Sequence, residues 1–215
     1  MKTINCFIPF LNKEQVEKTV AGLRDSQLVN KIYLLAGADA TADAVEGCER
    51  IDIKGLESSA TMKQIAAHAD ADFVLLYTKY NTLSFGMFAI ERMVKIATDA
   101  KAGMVYADHY NVVGNARSNA PVIDYQEGSL RNDFDFGSVL MFCAKAFKNA
   151  AARITEEYDF AGLYDIRLKV AQTEELVHIN EYLYSDVELD TRKSGEKIFD
   201  YVDPRNRGVQ IEMEK

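Results

Sequence analysis

The sequence is poor in residues that break or staple a chain. It has three prolines, three cysteines and no low-complexity tract in 215 residues. So little biased composition argues against disorder, except near the C-terminus. Cys6, Cys48 and Cys143 are widely spaced and odd in number. No C-x-x-C pair or Cys/His cluster accompanies them, so nothing suggests zinc. They read as reduced, buried thiols of a reducing compartment. No apolar run approaches the about 20 residues of a membrane-spanning helix. The first residues lack the basic start, apolar middle and small-residue cleavage site of a signal peptide. The expected location is therefore cytoplasmic, with any membrane association peripheral and through partners. A basic stripe is also missing. The net charge of −8 argues against a nucleic-acid backbone as partner. It leaves room for a phosphate-bearing small ligand in a locally basic pocket.

What is present is a core-forming pattern. The hydrophobic fraction of 48% is enough for one α/β domain of this length. Ile4 to Phe10 is a nearly continuous apolar run, as a strand buried on both faces requires. Asn12 is a suitable N-cap for a helix carrying Val16, Val20 and Leu23. Further strands are expected at Lys31–Leu35, Ile51–Ile53, Phe73–Tyr77 and Met104–Tyr106, the last ending at Asp108. Between them, Ser59 is expected to cap one helix, and Phe85, Phe88, Ala89, Met93, Ile96 and Ala97 to line a long second one. Such alternation indicates βαβ units and a mainly parallel sheet. Ligands of such sheets lie beyond the carboxyl ends of the strands, where Asn12, Ala36, Lys79 and Asp108 fall.

The second half is less regular. Asn111–Asp124 reads as an antiparallel hairpin excursion with Gly114 in its turn. Val139–Cys143 reads as a strand, Ala144–Thr155 and Leu163–Ala171 as helices, and Leu176–Ile179 as a strand followed by Tyr182-Leu183-Tyr184. Residues 1–189 are expected to form the domain. Residues 190–215 read as a charged linker and the start of a peripheral helix.

Two features of the first half resemble the family 2 glycosyltransferases. The opening Ile4-Asn5-Cys6-Phe7-Ile8-Pro9-Phe10-Leu11-Asn12 is similar to their first strand and nucleotide-contacting loop, I-P-x-Y-N. Lys63–Ala69 with Ala71-Asp72-Phe73 is similar to the helix and turn before their metal strand. The resemblance spans about Thr3 to Asp186. It implies a GT-A, Rossmann-like fold, a nucleotide-sugar donor and a glycan acceptor. Asp124–Gly137 and Asp200–Asn206 resemble a subgroup of bacterial polysaccharide enzymes. That implies a second glycosyltransferase domain C-terminal to this one, the chain being an N-terminal fragment.

The sequence also departs from that family. The segment after the fourth strand carries Tyr77-Thr78-Lys79 in place of the metal-binding Asp-x-Asp. No metal is therefore expected there, beyond weak Mn²⁺ or Mg²⁺ with bound sugar nucleotide. After the second strand, Ala36 and Gly37 replace the acidic base-contacting positions, with Asp39 nearby. The helix that carries the family's catalytic base retains Asp165. The resemblance thus implies a donor site bordered by Pro9, Asn12, Asp39 and Asp108, with Lys79 and Arg131 as cations on the diphosphate. Lysine is a compact cation able to neutralise phosphate directly. Asp165 or Asp135 is the expected base. On this reading Lys79→Ala weakens nucleotide binding and leaves the stability of the empty protein nearly unchanged.

Plainer readings stand beside these. Lys79 also reads as a loop lysine, Asp135 as a turn carboxylate bonding its own backbone, and Asp108–His109 as a strand-end polar pair. His68 and His178 read as structural. The rival function is a degenerate domain that binds glycan or packs on a catalytic partner. A nucleotidylyltransferase would need a Gly-rich, Arg-containing loop after the first strand, and Phe10-Leu11-Asn12-Lys13-Glu14 is not one.

Overall fold

A computed structural model describes residues 2–126, 134–188 and 211–212. Its elements follow in the order β1 (Ile4–Phe10), α1 (Lys13–Arg24), β2 (Val29–Ala36), β3 (Glu49–Asp52), α2 (Ser59–Ala67), β4 (Phe73–Tyr77) and β5 (Thr82–Phe85). Then come α3 (Ala89–Asp99), β6 (Met104–Val113), β7 (Ala116–Ala120), β8 (Val139–Cys143), α4 (Ala144–Ala152), α5 (Gly162–Ala171) and β9 (Leu176–Val187). The strands form one sheet in the order β3-β2-β1-β4-β8-β6-β9-β5, with β7 paired to β6. β1 pairs parallel with β2 and β4, β2 with β3, and β6 with β9. β8 enters antiparallel between β4 and β6, and β5 closes antiparallel on β9.

The continuous apolar strands follow from burial on both faces. Ile4, Cys6, Ile8 and Phe10 of β1 pack with α1 and α3 residues such as Val20 and Met93. Phe7 points the other way, into the layer of Met62, Phe147 and Ile166 from α2, α4 and α5. β2 and β4 alternate in the same manner, so a helical layer covers each face. The start of α5 lies directly against the start of α2. A Cβ on Gly162 would sit 2.3 Å from the Ser59 backbone nitrogen. Gly162→Ala is therefore expected to destabilise the domain by about 1–3 kcal/mol, the range for overpacking. A urea midpoint unchanged from the wild type would show that the two helices separate freely.

Several expected boundaries shift. The cap of α2 is Ser58, whose hydroxyl accepts from the Thr61 N–H, and Ser59 is the first helical residue. The helix expected from Phe85 begins at Ala89. Thr82–Phe85 instead form β5, with Leu83 buried and Ser84 exposed. A four-residue segment is too short for its period to distinguish a strand from a helix entry. Phe88, expected on the helix's apolar face, is 71% exposed and takes a left-handed φ of 57°. β6 continues to Val113 because β7 pairs with His109–Val113, so Asp108 lies within the strand. The expected excursion is this hairpin, turning at Gly114 with φ 58°. The Leu176 strand runs unbroken to Val187. The segment 190–215 lies outside the described residues except for Ile211 and Glu212, which are helical. The Glu212 carboxylate accepts from the backbone N–H groups of Asp159, Phe160 and Ala161.

Candidate functional site

Strand order reverses between β1 and β4, since β2 and β3 leave to one side and β4 to the other. Such a switch point opens a crevice at the carboxyl ends. The β1–β4 pairing ends at Phe7–Leu76, three residues before the end of β1. One wall of the crevice is the turn after β1. The Gln15 side chain donates to the Pro9 carbonyl at 3.1 Å and accepts from the Leu11 N–H at 3.0 Å. Asn12 caps α1 by accepting from the Gln15 N–H at 2.9 Å. The turn after β2 is tied on through Thr41 N–H to the Leu11 carbonyl at 2.8 Å. Asp39 is exposed in that turn. Tyr80, just beyond β4, leans toward it, with its hydroxyl 3.9 Å from where a Gly37 Cβ would stand. Burial first, and the Asp39 charge second, push the Tyr80 phenol up.

A second cluster, past the end of β4, is built around Asp186, a residue near the end of β9 with a side chain only 1% exposed. The Lys79 ammonium lies 2.8 Å from its Oδ2. The Ser138 hydroxyl donates to the same oxygen at 2.7 Å, and the Tyr77 hydroxyl to Oδ1 at 2.9 Å. The His109 Nε2 stands 3.8 Å from Oδ2. The His109 ring stacks on Tyr184, with centroids 5.0 Å apart and planes 3° from parallel. The Tyr184 hydroxyl accepts from the backbone N–H groups of Ser138 and Val139. Gly137, at φ 73°, passes over this stack, and a Cβ there would stand 2.5 Å from the Tyr184 hydroxyl. Both the positive φ and the close approach require glycine.

The arrangement depends on an irregularity in β9. Its register with β6 shifts on both sides of Asp108. Ala107 pairs with Ile179, Asp108 with Tyr182 and His109 with Tyr184, so β9 carries three extra residues. An odd number of extra residues reverses which face its side chains use. That reversal turns Tyr184 and Asp186 toward His109 and Lys79. Burial of the imidazole holds His109 below its ordinary range, against the opposing pull of Asp186. Burial pushes the Tyr77 and Tyr184 phenols well up.

The structure distributes the other expected residues unevenly. Asp135 is exposed and accepts from the Gly137 N–H at 2.7 Å, the self-bonded turn. Its charge nevertheless reaches His109. Asp165 pairs with Lys169 one turn along α5, and its Oδ2 is buried without a partner. No described hydrogen bond or ion pair joins Asp165 to Lys79, Asp186 or Asp135. Asp108 is buried in β6, where it accepts from the Val122 N–H and contacts His178, which also contacts Asp124. Its role there is to hold the chain after β7. Arg131 lies outside the described residues. A cation that sequence reasoning missed is Arg167, with its Cζ 5.2 Å from the Phe136 ring centroid and its Nε buried without a partner.

Asp186 and Ser138 were also missed, since neither belongs to a motif and Asp186 lies 107 residues from Lys79. This donor set does not suit a hard dication, which wants several free oxygen ligands. The carboxylate beside Lys79 already serves an ammonium and two hydroxyls. Among the described residues, no three acidic, His or Cys side chains gather as a metal group.

No family model and no curated protein matches the chain. Solved structures do. S. aureus TarS 1–349 in complex with UDP-GlcNAc superposes with a TM-score of 0.63 at 10% identity, over 90% of this chain and 61% of that one. The same protein with UDP gives 0.62 at 10% identity, over 86% and 60%. A putative glucose-1-phosphate thymidylyltransferase from Bacillus anthracis, in complex with a sucrose, gives 0.55 at 11% identity, over 86% and 89%. The fold is therefore the GT-A, Rossmann-like one. This chain spans about three-fifths of the length of the TarS structures. No helix among the described residues is long and apolar enough to cross a membrane.

Proposed function

We propose that this chain is a sugar-nucleotide-dependent glycosyltransferase domain, of the family 2 kind, for polysaccharide or glycan assembly. The observation that carries this reading is Lys79, which follows the carboxyl end of β4 and pairs with buried Asp186. An ammonium anchored there supplies the charge that a leaving diphosphate requires. Pro9, Asn12 and Asp39 border the nucleotide. The acceptor oxygen bonds to the anomeric carbon as the carbon–oxygen bond to the diphosphate breaks. The electron pair leaves on the diphosphate, and the acceptor proton passes to a carboxylate. Asp135, exposed beside the cluster, is the better-placed base, whereas Asp165 must first part from Lys169. No metal is required, beyond weak Mn²⁺ or Mg²⁺ with bound sugar nucleotide. The glycan acceptor, a second glycosyltransferase domain C-terminal to this one and a cytoplasmic location belong to the same reading.

A specific observation favours the second reading, a degenerate domain. Asp186 already neutralises Lys79, so this pair offers a diphosphate no net charge. A thermal-shift screen with uridine and guanosine diphosphates, with and without Mn²⁺, separates the two. A ligand that binds only the native state raises the melting temperature. We expect one diphosphate to do so without Mn²⁺. No shift at millimolar concentrations would establish the degenerate reading instead.

A further inference from the structure

The Lys79–Asp186 pair leaves a charge problem for any diphosphate at the crevice. The pair sums to zero, while a diphosphate diester brings two negative charges. The cluster holds one further group able to become a cation. His109 is buried, and its Nδ1 has no hydrogen-bond partner. Its Nε2 faces Asp186, and Tyr184 covers one side of the ring. The charged and titratable groups around it are Asp186 and Tyr184 from β9, Lys79 from beyond β4, Asp135 from the turn before β8, and its neighbour Asp108 on β6.

We infer that a sugar nucleotide bound against Lys79 draws a solvent proton onto His109, so that an imidazolium next to Asp186 supplies the positive charge the ion pair cannot. This rests on the donor-binding reading above. In the empty protein burial disfavours the ring's charged form and Lys79 repels it, while Asp186, Asp135 and Asp108 favour it, and the net displacement is toward the neutral ring. A bound diphosphate shares the charge of Lys79 and adds negative potential. Asp186 is then free to compensate the imidazole instead, with the Nε2–H directed at its carboxylate. The proton goes to whichever ring nitrogen the neutral tautomer leaves bare. No bond in the ligand changes. His109 acts here as a positioning residue, through Asp186 and Lys79.

The sign follows by linkage. His109 gains affinity for a proton when the donor binds, so protons favour binding. Affinity is greatest below the free-state value of His109, which lies below the ordinary about 6.5. It is lost as pH rises through the value in the complex. Within that window the dissociation constant rises by up to about tenfold per pH unit.

The test is calorimetric titration of the whole chain with UDP-GlcNAc, UDP-glucose and GDP-mannose. Their diphosphate diesters carry no phosphate group that titrates near neutral pH. Repeating each titration in buffers of different ionisation enthalpy counts the protons exchanged. We expect the donor that binds to take up a substantial fraction of one proton near neutral pH and to bind more weakly at higher pH. His109→Gln should abolish the uptake and flatten the pH dependence while retaining the high-pH affinity. The proton count on the wild type alone decides the matter if that variant does not fold. Binding without proton uptake overturns this inference and leaves the donor-binding reading standing. Binding of none of the three at millimolar concentration overturns both.

Discussion

Replacing Asp186 with alanine is expected to lower the free energy of unfolding by about 3–5 kcal/mol, the range for breaking a buried ionic group out of its network. Three donors converge on this one carboxylate: the Tyr77 hydroxyl, the Ser138 hydroxyl and the Lys79 ammonium. The Lys79 side chain is 43% exposed, so water screens the direct attraction between the two charges. The larger share comes from the hydroxyls. Tyr77 and Ser138 are both buried, and a buried donor left without an acceptor costs about 1–3 kcal/mol. Asp186→Asn keeps the shape and an acceptor oxygen, so it should recover much of the loss. Urea denaturation of the three proteins measures this. A loss below about 1 kcal/mol in the alanine variant would mean that the hydroxyls find other acceptors and that Asp186 does not organise the site.

Replacing Lys79 is expected to weaken binding of a nucleoside diphosphate by roughly ten- to hundredfold, the loss of one charge-assisted phosphate contact. From sequence, the loss of Lys79 is expected to leave the stability of the empty protein nearly unchanged; the ion pair with Asp186 adds an expected cost. Lys79 is the cation for a carboxylate that is almost wholly buried. Removing it leaves Asp186 charged against two hydroxyls, so Lys79→Met should destabilise the empty protein as well. The double variant Lys79→Met with Asp186→Asn removes both charges and should regain stability while binding stays weak. Calorimetry on the single and double variants reads affinity, and urea unfolding reads stability. If the double variant binds as tightly as the wild type, the diphosphate does not sit at Lys79.

The outer frame of the fold was legible because its causes are local. β1, β2 and β4 are apolar on both faces, which only a sheet covered on both sides requires, and Asn12 caps α1 as its side chain allows. The hairpin through Gly114 was visible because a turn needs a residue that accepts positive φ. β5 was not, because four residues carry too little period and Phe85 and Phe88 continue the apolar spacing of α3. The end of β6 was misplaced for a related reason. Asp108, His109 and Asn111 look like a strand giving way to a loop, and only pairing with β7 and β9 keeps them in the sheet.

The site divides in the same way. Sequence alone determined that an apolar strand ends at Tyr77 and that a lysine stands two residues beyond it. It also determined that Pro9 and Asn12 shape the facing turn. Tertiary structure alone decided what that lysine meets. Asp186 is far along the chain, and a regular strand would direct it to the opposite face. The three extra residues of β9 reverse that direction and bring Asp186 and Tyr184 to Lys79 and His109, where Ser138 before β8 meets them. A residue's spacing along the chain sets its local geometry. Which charges are buried together depends on register between distant strands, and that is settled only when the sheet closes.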